Sequence, residues 1–382
     1  MKILQVCNYY SPVYGGSAEV PYRLSIELAK RGHDITIYTA DYRNKISQEW
    51  LKSARELHIK VYGFKTWLNL ASFQVTPGLV HVSNQIKNFD LIHMHNFRTF
   101  QNVLIHYYAN KHHIPYVLQA HGSLPRIGAQ KQLKKIYDEL IGHRLLKDAS
   151  RIISLTTKEA EQYRNMGVNK ERIEIIPNGV NLSEYENLPQ RGNFRAKWKI
   201  RESQKVILFL ARIHKIKGPD LLAKAFSSIS RDTADLKLVF AGPDNGYLAF
   251  MQKLTSELYI EDKVLFTGPL YGKDKLEAYV DADVYVLPSN YEAFSLSVIE
   301  AMACGTPVIV TDRCGIADII VDKAGLVVPY DEKLLGSAIS RMLSDENMRR
   351  ECSIYSRSIV RKHFTWSKVV EQIDAVYESV RQ

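Results

Sequence analysis

Short apolar runs rich in β-branched residues recur along the chain, spaced so that one helix fits between each pair. In the first half they read KILQVCNY, DITIYTA, DLIHMH, PYVLQA, RIISLT and IEIIPN. In the second half they read KVILFLAR, LKLVFAG, KVLFTG, VYVLPS, PVIVTD and GLVVP. Between them lie segments such as VPYRLSIELAKRG, whose apolar positions fall at helical spacing. Strands alternating with helices in this way pack as parallel sheets covered by helices. Two such series predict two doubly wound domains. The stretch 177–192, PNGVNLSEYENLPQRG, breaks both patterns with Pro, Gly and Asn and reads as the linker. The final FTWSKVVEQIDAVYESVRQ reads as one amphipathic helix.

Open parallel sheets bind ligands beyond the carboxyl ends of their strands, and two such sheets facing each other predict a deep cleft. The residues just after each strand therefore carry the interest. Tyr14-Gly15-Gly16-Ser17 follows the first strand and opens a helix, a place where backbone can approach a ligand and an anion is favoured. A tight turn explains the same residues, and they do not form the G-x-G-x-x-G dinucleotide fingerprint. Arg212 and Lys217 flank a strand-to-helix turn in FLARIHKIKGPD, where two cations suit a diphosphate. Taken alone, they read more simply as solvated loop charges.

The block PSNYEAFSLSVIEAMACGTPVIVTD is the most informative. Glu292 precedes a helix expected to start near Phe294, and Glu300 lies inside it among Val298, Ile299, Ala301 and Met302. Eight residues put the two carboxylates roughly 10–12 Å apart along the chain. The paired carboxylates of a retaining glycosidase sit only about 5 Å apart, so these two do not read as nucleophile and acid. They suit opposite ends of an elongated polyol, with the backbone N–H groups of Ser295 and Leu296 facing phosphates between them. A carboxylate buried at Glu300 requires hydrogen-bond donors.

Composition and charge narrow the class. The chain has 382 residues, 46% hydrophobic and 24% charged, as soluble globular proteins have. No apolar run has the length of a membrane span, and the N-terminus lacks a signal-peptide pattern. The scattered Cys7, Cys304, Cys314 and Cys352 suit free thiols in a reducing cytosol. Residues 1–185 carry 24 Lys and Arg against 15 Asp and Glu, whereas residues 186–382 carry 27 against 26. The basic half is either a solvated surface or meets an acidic membrane or anionic acceptor. Nothing resembles a nucleic-acid motif, and no nucleic-acid partner is expected. Asp281-Ala282-Asp283 imitates a metal-binding Asp-x-Asp but precedes a strand, at its end away from the cleft, and reads as a turn. His93-Met94-His95 places two imidazoles on one strand face with no third ligand apparent, so they read as strand-end histidines, with His95 near the acceptor.

The long block resembles the E-x7-E signature of glycosyltransferase family four, retaining enzymes of the GT-B fold. The likeness runs over nearly the whole chain through Gly15-Gly16, Gln119-Ala120-His121-Gly122, Ile176-Pro177-Asn178-Gly179-Val180, Arg212 with Lys217-Gly218, and Pro288 to Asp312. The resemblance implies an α/β GT-B protein of two facing Rossmann-like domains. Residues 1–182 with a returning helix 365–382 would form the acceptor side, and 183–364 the nucleotide-sugar side. Glu300 would bind the ribose, Glu292 the transferred hexose, and Arg212 and Lys217 the diphosphate. His121 would lie near the sugar and Gly16 on the phosphate side, with Asn178 in the shared motif. Base contacts are expected around Gly242 and Gly268-Pro269-Leu270. The expected activity is retaining transfer of a hexose from a UDP-, GDP- or ADP-sugar to a glycan or lipid-linked acceptor, without cofactor or metal, in the cytoplasm or at the inner face of the membrane. A GT-B sugar-nucleotide epimerase and a non-catalytic sugar-binding protein are the alternatives. Segment 128–147, GAQKQLKKIYDELIGHRLLK, is expected to form one helix. Its Leu133, Ile136, Tyr137, Leu140 and Ile141 would pack in the core, and Lys131, Lys134 and Lys135, with Arg126 just ahead, would be free for an anionic surface.

Overall fold

The apolar runs form strands buried on both faces, as parallel strands between helical layers must be. Leu91–His95, Tyr116–Gln119, Val284–Leu287 and Val308–Thr311 are buried at every position. The computed structural model describes residues 1–43, 45–70, 73–127, 130–230, 235–321 and 323–381. The chain divides into two compact units, Met1–Gly179 with Trp366–Gln382, and Val180–Thr365.

The first unit holds β1 (Lys2–Cys7), β2 (Asp34–Asp41), β3 (Lys60–Lys65), β4 (Leu68–Leu70), β5 (Phe73–Val75), β6 (Leu91–His95), β7 (Tyr116–Gln119), β8 (Arg151–Ser154) and β9 (Ile173–Ile175). Seven of these form a parallel sheet in the order β3-β2-β1-β6-β7-β8-β9, and β4 and β5 form a separate antiparallel pair. Its core packs Leu4, Val6, Ile92, Met94, Leu118 and Ile152 from the strands against Ile105, Leu145 and Leu146 from the helices. The terminal helix Trp366–Arg381 belongs to this unit. It buries Val369, Val370, Ile373 and Tyr377, and its Asp374 accepts Arg31 at 3.1 Å and lies 3.1 Å from His33 Nε2, just past the helix Gly16–Lys30. Strand β3 and the β4–β5 pair are not marked by apolar runs. KVYGFK is an edge strand, largely exposed, with a glycine inside.

The second unit holds β10 (Lys205–Leu210), β11 (Leu236–Ala241), β12 (Val264–Gly268), β13 (Val284–Leu287), β14 (Val308–Thr311) and β15 (Gly325–Val328), all parallel, in the order β12-β11-β10-β13-β14-β15. Asp281 ends a helix and Asp283 precedes β13. Asp281 accepts the N–H groups of Gly192 and Arg195, at 2.5 and 2.9 Å. Asp283 takes the Arg195 guanidinium at 3.0 Å and the N–H of Val206 at 2.8 Å. The pair therefore ties the segment that enters the unit to the base of its sheet.

The segment 128–147 departs from expectation. Gly128 and Ala129 lie outside the described residues. The rest is helical from Lys131 but passes through a π-turn at Asp138–Gly142 before resuming at His143–Asp148. What faces the core is the π-turn, where buried Asp138 accepts Arg98 through both carboxylate oxygens at 2.8 Å and Arg126 at 2.8 Å. Anchoring the helix through a charge turns part of its apolar stripe outward, while Tyr137 packs edge-on against Phe73 and Phe97 and Ile141 is half-buried. Leu133, Ile136 and Leu140 are 60%, 54% and 65% exposed instead of packed on the sheet. Lys134 donates to the Ile127 carbonyl, so it and Arg126 are committed, and Lys131 and Lys135 remain exposed. Among the described residues, no helix is long and apolar enough to cross a membrane.

Removing one partner of a buried ion pair leaves the other uncompensated, at about 3–5 kcal/mol. Asp283→Ala is expected to lower the unfolding free energy by about that amount in urea titration. A variant as stable as the parent would exclude a structural role.

Candidate active site

In each sheet the strand order reverses beside the first strand, between β10 and β13 in the second unit and between β1 and β6 in the first. A crevice opens beyond the carboxyl ends at such a point.

In the second unit the turn after β10 carries Arg212, His214 and Lys217. Two glycines seat it. A Cβ on Gly242, after β11, would lie 1.9 Å from the Ala211 carbonyl oxygen, and one on Gly218 would lie 2.1 Å from that of Pro288, after β13. The N–H of Asn290 donates to the Ile216 carbonyl at 2.8 Å, which joins the turn to the loop after β13. That loop delivers Glu292, whose carboxylate pairs with the Lys217 ammonium across the reversal point. Both side chains are largely buried. The Glu292 backbone is bracketed by the loop after β14, its N–H donating to the Arg313 carbonyl at 3.3 Å and its carbonyl accepting Gly315 at 2.7 Å. Arg212 is exposed. His214 is held below its ordinary pKa by burial, then by the charges of Arg212 and Lys217, which places both cations around one imidazole.

The helix Leu296–Cys304 starts two residues later than expected. Ser295 has extended backbone and caps it, its Oγ accepting the Val298 N–H at 3.4 Å. Leu296 is thus the first helical residue, and one of the free N–H groups of this end is already satisfied. The Ser295 and Ser297 hydroxyls lie 3.0 Å apart, and Ser297 meets the Tyr285 hydroxyl at 2.7 Å. Glu300 is largely buried and finds its donors from another helix, Gly272–Asp281. Lys275 Nζ donates at 2.7 Å and Tyr279 Oη at 3.0 Å. Gly242 donates its N–H to the Gly268 carbonyl at 2.8 Å, joining the ends of β11 and β12, and Leu270 just beyond is buried.

In the first unit Gly15 has φ of 65° and caps the helix that Gly16 begins. His121 also has positive φ, 51°, rare for a residue with a Cβ, and its loop is held on both sides. The N–H of Ala120 donates to Tyr163 Oη at 2.8 Å, and that of Gly122 to Glu159 Oε1 at 2.6 Å. Burial pushes the Glu159 carboxyl up to about 7, against the pull of its bonds from Leu155 and Gly122. The fold adds what the sequence does not show for the His93-x-His95 strand face, a third imidazole. His121 Nε2 meets His95 Nδ1 at 2.8 Å, His93 stacks on His95, and His93 Nδ1 meets Tyr377 Oη from the terminal helix at 2.7 Å. Among the described residues, no group of three His, Cys, Asp or Glu side chains is arranged to hold a metal ion. Asn178 is buried after β9.

The sequence model described as Glycosyltransferase Family 4 matches residues 14–184, and that described as Glycosyl transferases group 1 matches residues 190–359. The chain belongs to glycosyltransferase family four. It is 26% identical to an uncharacterized glycosyltransferase of Methanocaldococcus jannaschii over 99% of this chain and 98% of that one. It is 26% identical to a D-inositol 3-phosphate glycosyltransferase of Nocardia farcinica over 96% and 85%. Two solved structures show the GT-B fold of this family member. Anabaena Alr3699/HepE, crystallised with UDP and glucose, matches at 18% identity and a TM-score of 0.80, covering 99% of this chain and 100% of that one. WaaG, a glycosyltransferase of lipopolysaccharide biosynthesis, matches at 19% and 0.74, covering 98% and 99%.

Sequence reasoning missed Lys275, His214, Glu159 and Tyr163. Lys275 and Tyr279 stand four apart, a helical spacing that marks one face, but nothing local ties them to Glu300.

Burial pushes His93 and His121 down to about 3 and His95 well below its ordinary value. Unfolded, all three bind protons near pH 6.5. Below that the unfolded chain holds the extra protons, and stability falls as pH drops. Glu159 opposes this, stabilising at low pH and losing its contribution as pH rises through about 7. Three imidazoles outweigh one carboxyl, so the thermal midpoint is expected to fall between pH 7 and pH 5. The fall should be smaller in His93→Gln; equal falls would contradict the assignment.

Proposed function

We propose that the chain is a retaining hexosyltransferase whose second unit binds a nucleoside-diphosphate sugar. The observation that carries this reading is the Lys217–Glu292 pair across the strand reversal, with Arg212 beside it and Glu300 one helix further on. A diphosphate entering the crevice competes with Glu292 for Lys217. The ammonium then serves the phosphate, and the released carboxylate accepts hydroxyls of the sugar. Arg212 adds a second cation where the leaving group gains charge, the kind of preorganised electrostatics that dominates many catalysts. Glu300, which already accepts from Lys275 and Tyr279, is built to accept a ribose diol. The bond to the anomeric carbon breaks and its electrons go to the phosphate oxygen. That oxygen takes the acceptor's proton as the acceptor attacks the same face, which retains configuration. The solved UDP and UDP-glucose complexes of the Anabaena protein support a nucleotide-sugar donor. We take the reaction to be independent of metal, because Asp281 and Asp283 are engaged with backbone and Arg195.

The test is release of nucleoside diphosphate from candidate nucleotide sugars in excess EDTA. Arg212→Ala and Lys217→Ala are expected to lower turnover roughly 10²-fold or more. Glu300→Gln should weaken binding of the free nucleotide, read by calorimetry, and Glu292→Gln should leave it nearly intact while damaging transfer. Near-normal turnover in both cation variants, or activity that requires added manganese or magnesium, would reject this reading.

We propose further that the acceptor is reached at an anionic membrane surface. The exposed Leu133, Ile136 and Leu140, with Lys131 and Lys135 on the same helix, form the pattern of an interfacial amphipathic helix. Each basic residue near an anionic leaflet contributes on the order of 1 kcal/mol, which makes docking weak and salt-sensitive. Co-sedimentation with anionic vesicles at low salt is expected, with neutral vesicles left unbound. Replacing Leu133, Ile136 and Leu140 by Ser should abolish it, and replacing Lys131 and Lys135 by Ser should weaken it. Binding unchanged in both sets would exclude this helix as the dock.

A further inference from the structure

The buried imidazoles of the first unit are joined in a directed chain. Gln5 lies on β1 and His95 ends β6, on the two sides of the strand reversal, and both are fully buried. Gln5 Oε1 lies 2.6 Å from His95 Nε2, and His95 Nδ1 lies 2.8 Å from His121 Nε2, with the two rings within 15° of parallel. The remaining nitrogen of the series, His121 Nδ1, is buried without a protein partner.

The chemistry of each link fixes the next. A carbonyl oxygen only accepts, so His95 carries its hydrogen on Nε2. Burial keeps the three imidazoles neutral, and a neutral ring has one N–H and one lone pair. His95 Nδ1 is then a lone pair and takes its bond from His121 Nε2–H. His121 Nδ1 is left as a lone pair too, beyond the carboxyl end of β7.

We infer that Gln5 and His95 are positioning residues that hold His121 in its Nε2–H tautomer, so that Nδ1 accepts a hydrogen bond from a hydroxyl group of the carbohydrate substrate. The assignment rests on the glycosyltransferase reading for the substrate, and on the hydrogen-bond geometry and the burial of the rings for the tautomer. It gives His121 a specific task and denies it another. The side chain orients a hydroxyl and has no proton at Nδ1 to donate to a leaving group. The positive φ of His121, with its loop pinned by Glu159 and Tyr163, keeps the ring at the distance from His95 that the relay requires.

The experiment is a long-range ¹H–¹⁵N correlation spectrum of ligand-free protein labelled at histidine, the His121 signals being assigned by their loss in His121→Asn. The Nε2–H tautomer is expected for His95 and His121 at pH 7, with a mixture at His121 in Gln5→Leu. An Nδ1–H tautomer at His121 overturns the inference, because the Gln5 amide would then point the other way and reverse both rings. So does a His121 tautomer unchanged in Gln5→Leu. In the transfer assay Gln5→Leu is expected to lower kcat/KM by up to about tenfold, the scale of one net hydrogen bond. His95→Gln, whose side-chain oxygen can still accept from His121, should recover most of it. Equal losses in the two variants would reduce Gln5 and His95 to packing. If Gln5→Leu does not fold, the parent spectrum still decides the tautomer. If no nucleotide sugar is turned over, the enzymatic reading falls while the spectrum judges the relay independently.

Discussion

Two backbone approaches that admit no side chain hold the second unit's site together. The turn after β10 can lie between the ends of β11 and β13 only because position 242 and position 218 are glycine. With that turn in place, Lys217 reaches the loop after β13 and meets Glu292, and Arg212 stands out beyond the sheet. A methyl group at either glycine would have to move carbonyl oxygens of the turn itself or of Pro288. Charge in this site therefore depends on steric emptiness behind it.

The second unit carries its charges in ion pairs. Glu292 and Glu300 each have a lysine, and Glu300 a tyrosine as well. When an anionic ligand takes the lysine of such a pair, the carboxylate it leaves needs new donors, which hydroxyl groups of the same ligand can supply. The first unit solves the burial of polar groups differently. Its sheet face holds Gln5, His93 and His95 with no cation or carboxylate among them; burial keeps the imidazoles neutral, His95 bonding Gln5 and His121, and His93 bonding Tyr377 of the terminal helix. Glu159 is a carboxyl buried in the site region of this unit, and there backbone N–H groups take the place of a lysine.

The outward stripe on Lys131–Tyr137 shows how one buried charge redirects a helix. By period alone, Leu133, Ile136, Leu140 and Ile141 belong in the core. Asp138, held by Arg98 and Arg126, takes that place, and the π-turn around it shifts the phase. Pattern reasoning weights apolar residues and has no means of knowing that an aspartate forty positions from its arginine will be the anchor.

What could be read from the chain were the features that local physics decides. Runs such as PYVLQA and VYVLPS can only be strands buried on both faces, the intervening periods can only be helices, and glycines after strands mark where backbone must come close. The E-x7-E block carries the family likeness because its spacing lies within one loop and one helix. Strand β3 escaped notice because an exposed edge strand has no apolar signature. Everything that joins distant positions waited for the tertiary structure. Lys217 meets Glu292 across 75 residues, Lys275 meets Glu300 across 25, and Gln5 meets His95 across 90. Those meetings are set by the order of strands in the sheets and the direction in which side chains leave them, and neither quantity is written in any local stretch of sequence.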